Sequence, residues 1–116
     1  MSGINLNKSY DFFQPEANDV RIHIIGCGSV GSTVAENLAR MGVTKMTLWD
    51  FDIVESQNIV NQMFRQTDIG KSKVDALKDL ILEINPSAER DIILEPRGWR
   101  GKVLSGIILL AVDSID

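Results

Sequence analysis

An open α/β sheet, mainly parallel and with helices on both faces, is the architecture that this 116-residue sequence predicts. Three observations lead to it. The β-branched run Ile22-His23-Ile24-Ile25 stops at Gly26 and has the length of a buried parallel strand. The turn Gly26-Cys27-Gly28-Ser29-Val30-Gly31 follows it and opens a segment of helical period. A second strand then closes at Asp50, so that strand, glycine turn, helix and strand fill about 30 residues, as a βαβ unit requires. The pattern is Rossmann-like.

The elements can be justified in order. Residues 1–20 mix Asn, Asp, Ser, Gln and Pro with Phe12 and Phe13, which suits an N-terminal arm pinned by two aromatic side chains. After the glycines, Val30, Val34, Ala35, Leu38 and Met41 recur at helical spacing, with Gly42 placed as a left-handed C-cap, so a helix is expected over Ser29 to Met41. Thr44 to Trp49 alternates as a strand. Phe51 to Ile69 has no sustained period and is rich in Asn, Gln and Asp, which marks a long functional loop. Val74, Leu77, Ile81 and Ile84 share one helical face that Asn85-Pro86 ends, and Asp91 to Leu94 and Gly106 to Val112 read as two more strands. The run Ile107 to Val112 is continuously apolar and needs cover on both faces, so the chain is expected to be truncated within its domain. Residues 21–116 are accordingly read as the N-terminal part of a nucleotide-binding domain.

Composition narrows the function classes. Twelve Lys+Arg against 16 Asp+Glu give a formal charge of -4 with no long basic run, which argues against nucleic acid as a partner. The longest apolar run is too short to span a bilayer and no signal pattern opens the chain, so no membrane association is expected. A single cysteine, Cys27, excludes a disulfide framework within these residues and makes the cytoplasm the expected compartment.

The chemistry is concentrated at the glycine turn. Backbone N–H groups at a helix N-terminus point at an anion there, and Gly26, Gly28 and Gly31 let phosphates approach; a turn that merely packs helix against sheet is the structural alternative. Asp50 lies about 20 residues further on, where a carboxylate can accept from ribose hydroxyls or simply cap its strand. To this point a nicotinamide-binding module and an ATP-using enzyme look alike. His23 sits in an apolar strand and reads as a packed residue, not a base.

The following stretch separates them: Asp50-Phe51-Asp52, then Asn58 with Gln62 four positions on, Gly70-Lys71-Ser72-Lys73, and Asn85-Pro86. From about Val20 to its end the sequence resembles the ThiF/MoeB/HesA family, the adenylating domain shared with ubiquitin-activating enzymes. The resemblance implies ATP and Mg²⁺ as cofactors, with Asp50 on the ribose, Asp52, Asn58 and Gln62 completing the nucleotide site, and Lys73 beside the phosphates. It implies a catalytic role for Lys73 and Asp113, and Asp113 at the end of the last strand as the magnesium ligand, with Asp116 as the alternative. The activity implied is adenylation of the C-terminal carboxylate of a ubiquitin-like or sulfur-carrier protein, by an enzyme that acts as a homodimer in full length. Any transfer or zinc-binding cysteines would then lie beyond Asp116, and residues 1–116 alone are not expected to complete a reaction.

One position departs from the family pattern, which has arginine where this chain has Asn61. Arg65, four residues later, could reach the phosphates or stand as an exposed loop cation. No arginine precedes Arg21 to serve as one reaching from a partner's arm. Two other readings stay open: an NAD(P)-binding module of a dehydrogenase or transport regulator, which leaves Asn58, Gln62, Gly70 and Lys73 unexplained, and a non-catalytic partner subunit of an activating enzyme, which the Asn61 substitution favours.

Overall fold

The computed structural model describes residues 20–111. Four strands pair only in parallel: β1 (Ile22–Ile25), β2 (Met46–Trp49), β3 (Ile93–Glu95) and β4 (Ile107–Leu110), in the spatial order β3-β2-β1-β4. β1 is central, with Ile22 in register with both Met46 and Ile107, and all four of its residues are buried. Parallel neighbours need crossovers. Helix α1 (Ser29–Arg40) connects β1 to β2, and the short helix α2 (Asn58–Asn61) and α3 (Lys73–Ile84) lie between β2 and β3.

Strand alternation sorts the sheet residues. Ile22, Ile24, Met46 and Leu48 join Ala35 and Ala39 of α1 and Val74, Leu77 and Ile81 of α3 in one core. Both 12-residue helices lie on that face and pack against each other. His23, Ile25, Thr47 and Trp49 point the other way and are buried too. On that side the Trp49 indole Nε1–H donates to His23 Nδ1 (3.0 Å), and His23 Nε2 lies 3.0 Å from the Ser105 carbonyl oxygen. An indole only donates and a carbonyl only accepts, so this geometry holds His23 as the neutral ring with its proton on Nε2. It is the packed residue expected, tying the segment between β3 and β4 to the sheet.

Several boundaries differ from the sequence reading for local reasons. The face of α1 that meets the sheet is a seam of small residues, Gly31, Ser32, Ala35 and Ala39, while Val30 and Met41 are exposed. The apolar spacing weighted the large side chains, but close approach selects the small ones. Gly42 does end the helix as expected, at φ 92°, with its N–H on Ala39 O and the Val43 N–H on Leu38 O. β2 starts two residues late because the Met46 N–H closes a tight turn onto Thr44 O and the Thr44 hydroxyl donates to Asp91 (2.7 Å). β3 starts late because the N–H groups of Asp91 and Ile92 complete the turn Pro86–Arg90 on Ala88 O. β4 was expected to be buried on both faces. Among the described residues it is the sheet edge, and Ile107, Ile108 and Leu110 are half exposed. Val112 to Asp116, including Asp113, lie outside the described residues, as does the arm up to Asp19.

Candidate functional site

Parallel strands bring their carboxyl ends to one edge, and there β1 delivers Gly26, β2 delivers Asp50 and β3 ends at Glu95. Gly26 adopts φ 99°, open to glycine, and its N–H bonds to Trp49 O at 2.8 Å. Gly31 is needed for a different reason: a Cβ there would overlap the Gly26 carbonyl oxygen, with the carbonyl carbon at 2.9 Å and the Ile24 methyl at 3.3 Å. Gly28, the N-cap of α1, has φ -84°, and a Cβ on it would make only ordinary contact with the Gln62 amide at 3.7 Å. Space alone does not demand glycine at 28. No side chain caps α1 and no acidic residue occupies its first turn, so its first N–H groups have no side-chain acceptor from the helix itself.

Asp50 ties this turn to the next loop. Its Oδ2 accepts from the Cys27 N–H (2.7 Å) and its Oδ1 from the Asp52 N–H (2.8 Å), leaving further lone pairs on both oxygens. Beyond it the chain folds back on the start of α3 through an antiparallel bridge between Ile53 and Ser72, with Val54 N–H on Lys71 O (2.8 Å) and Lys73 N–H on Asp52 O (2.9 Å). Ser72 caps α3 by accepting from the Asp75 N–H. Lys73 thereby becomes the first residue of α3, only 7% exposed, with Nζ 3.9 Å from Asp52 Oδ2.

Asp52, Asn58 and Lys73 line one cavity of about 410 Å³, together with Phe51, Ile53, Glu55 and Gln57. Asn58 Oδ1 accepts from the Glu55 N–H at 2.7 Å, which fixes the amide and leaves its Nδ2 as the donor end. Gln62 lies over Gly28, and its Oε1 is buried with no partner among the described residues. A buried acceptor without a donor is costly. An N–H or O–H of a ligand seated over Gly28 would satisfy it. The structure thus gathers Asp52, Asn58 and Lys73 at one cavity, links Asp50 to it through the Asp52 N–H, and sets Gln62 against Gly28. The sequence reading gave no site role to Phe51, Ile53, Glu55 or Gln57, which line the same cavity. Their signal was membership of the aperiodic loop that carries the resemblance.

The remaining candidates are placed elsewhere. Cys27 is fully buried; burial, and then the Asp50 carboxylate, push its thiol far above the usual value, so it holds no thiolate. Arg65 does not face the cavity: its guanidinium pairs with the buried Asp68 (3.4 Å) and with Glu83 (2.5 Å). Arg21 donates to Met46 O and the Thr47 hydroxyl. Among the described residues no three His, Cys, Asp or Glu side chains cluster as a metal site. No helix among them is long and apolar enough to cross a membrane.

The ThiF family matches residues 4–99. Ubiquitin-like modifier-activating enzyme 5 of Caenorhabditis briggsae is 35% identical over 113 residues, covering 87% of this chain and 26% of the relative. The Arabidopsis thaliana protein of that name is 40% identical over 74 residues, 64% of this chain and 16% of the relative. This chain therefore spans about a quarter or less of these relatives. Among solved structures, E. coli tRNA N6-threonylcarbamoyladenosine dehydratase, TcdA, superposes with a TM-score of 0.79 at 26% identity, over 94% of this chain and 50% of that one. The same E. coli protein in complex with ATP matches with a TM-score of 0.67 at 28% identity, over 78% and 39% of the two chains.

Proposed function

The chain belongs to the ThiF family, and from that premise we propose that it is the nucleotide-binding portion of an enzyme that uses Mg-ATP to adenylate the C-terminal carboxylate of a ubiquitin-like or sulfur-carrier protein. The observation that carries the reading is Lys73, a nearly buried ammonium at a cavity shared with Asn58 and set beside a glycine turn that Asp50 holds. The relatives' names, and a solved complex with ATP, support it. The orphaned Gln62 Oε1 and the side-chain-free Gly28 fit a nucleotide lying over the turn.

In this reading Gly26, Gly28 and the N-terminal N–H groups of α1 receive phosphate oxygens, and Asp50 accepts from the ribose with the lone pairs that the turn does not use. A carboxylate is already a nucleophile at neutral pH, so no general base is required. Its oxygen bonds to the α-phosphorus as the bond to the β-phosphate bridge breaks and pyrophosphate leaves. Lys73 offsets the charge that moves onto the leaving group, and Asn58 Nδ2 donates to a phosphoryl oxygen without altering net charge. Asp113, outside the described residues, is the proposed magnesium ligand and second catalytic residue. Magnesium would supply charge neutralisation on the phosphates. A cytoplasmic setting and a homodimer complete the proposal.

A non-catalytic partner subunit is the second reading, favoured by Asn61 in place of the family arginine and by the pairing of Arg65 away from the cavity. Calorimetric titration with Mg-ATP, and separately with NAD⁺ and NADH, tests the choice on the wild type, Asp50→Ala and Lys73→Ala. ATP binding that both substitutions weaken, with ATP–pyrophosphate exchange by the full-length protein, is the expected result. Nicotinamide binding indifferent to Lys73→Ala would overturn it, and ATP binding without exchange would select the non-catalytic subunit.

A further inference from the structure

The cavity is short of positive charge for a polyphosphate. Lys73 is the only Lys or Arg among its lining residues, which also include the carboxylates of Asp52 and Glu55. Arg21 and Arg65 are committed to partners inside the fold. At the same edge of the sheet the segment Pro96-Arg97-Gly98-Trp99-Arg100-Gly101-Lys102 leaves β3, carrying three cations and no acid in seven residues.

This loop is fixed beside the site. Glu95 O, at its root, accepts from the N–H groups of both Asp50 (3.3 Å) and Gly98 (3.0 Å). Gly98 is buried at φ 75°, and a Cβ there would lie 3.0 Å from the Phe51 ring, a wall of the cavity. The Trp99 Nε1–H closes the far side by donating to Lys102 O at 2.8 Å. Arg97, Arg100 and Lys102 are exposed and have no acidic partner among the described residues. Guanidinium groups held next to a phosphate site and not already paired are the side chains suited to bidentate phosphate recognition.

We infer that Arg97 and Arg100 of this loop bind the β- and γ-phosphates of the nucleotide, supplying in this chain the charge that Asn61 does not. The inference rests on the nucleotide reading of the pocket given above. It makes the loop a specificity element that distinguishes triphosphate from monophosphate, while the glycine turn and Asp50 hold the nucleoside end common to both.

The test compares calorimetric affinities of the full-length protein for ATP and AMP, each with magnesium, in the wild type, in Arg97→Gln/Arg100→Gln, and in Arg90→Gln. Arg90 is exposed and lies at the opposite, amino end of β3, so its variant controls for removing an arginine remote from the site. The double variant should lose about tenfold or more in ATP affinity, hold AMP within about twofold, and show a flatter dependence of ATP binding on NaCl. Arg90→Gln should match the wild type. An unchanged ATP-to-AMP ratio in the double variant, or equal loss of both ligands, overturns the inference while leaving the pocket reading intact. Failure of the wild type to bind either nucleotide overturns the pocket reading itself.

Discussion

Gly28 and Gly31 sit three residues apart in one turn, and the structure assigns them opposite tasks, which an alanine at each separates. At Gly31 the new methyl would overlap the Gly26 carbonyl and press on Ile24, so α1 would have to move off β1. Overpacking of this kind costs about 3 kcal/mol or somewhat more when backbone is the obstacle, and the better helix propensity of alanine returns about 1 kcal/mol. A net loss of about 2 kcal/mol should lower Tm by about 8 °C for a domain of this size. At Gly28 the methyl meets only the Gln62 amide, at an ordinary contact distance of 3.7 Å. The stability change there should stay within about 1 kcal/mol, the difference between glycine and alanine as an N-cap. The same methyl stands where phosphates would approach the turn, so ATP binding should fall about tenfold or more. Urea unfolding followed by fluorescence, in which Trp49 is the buried indole and Trp99 the half-exposed one, gives the first quantity, and calorimetry the second. Gly31→Ala with wild-type stability, or Gly28→Ala with wild-type ATP affinity, would refute the division.

Two pH effects follow from buried groups. The Cys27 thiol is raised above its ordinary 9.0, so the folded state keeps a proton that the unfolded state releases, and stability should decline as pH rises past about 9. Cys27→Ala should flatten that decline, and native Cys27 should resist a thiol reagent at pH 8 until denaturant is added; rapid native labelling would contradict its burial. Asp68 has the opposite sign. Burial raises it, but the Arg65 N–H, the Arg65 guanidinium and the Lys71 ammonium together hold it below its ordinary 3.8. Its contribution is present above that value and is lost as pH falls through the lower folded one, so Asp68→Asn should cost about 1–3 kcal/mol at pH 7 and less at pH 3. An equal cost at both pH values in denaturant titrations would exclude the charge as the cause.

The fold was legible where one local signal settled each element. A four-residue run with three isoleucines, ending at glycine, reads as buried strand, Gly42 and Asn85-Pro86 stop the two long helices, and the glycine spacing set the βαβ unit. The resemblance carried Lys73, Asn58 and Gln62 as candidates, and the structure sets the first two on one cavity and the third over Gly28. Boundaries at Thr44 and Asp91 were less legible, because the bond between those two side chains joins residues 47 positions apart and has no local period.

The sequence by itself determined the strand–turn–helix order and the family, since both rest on residue types at short, fixed spacings. Tertiary structure alone decided which residues share the site. Asp50 reaches the Cys27 N–H, and Gln62 covers Gly28, only because parallel pairing brings the ends of β1 and β2 together at one edge. The commitment of Arg65 to Asp68 and Glu83, and the exposed cations of residues 97–102 beside Phe51, were likewise fixed by packing over long sequence separation. Charge is visible in a sequence, but whether it is spent inside the fold or left free for a ligand depends on what the folded chain sets next to it.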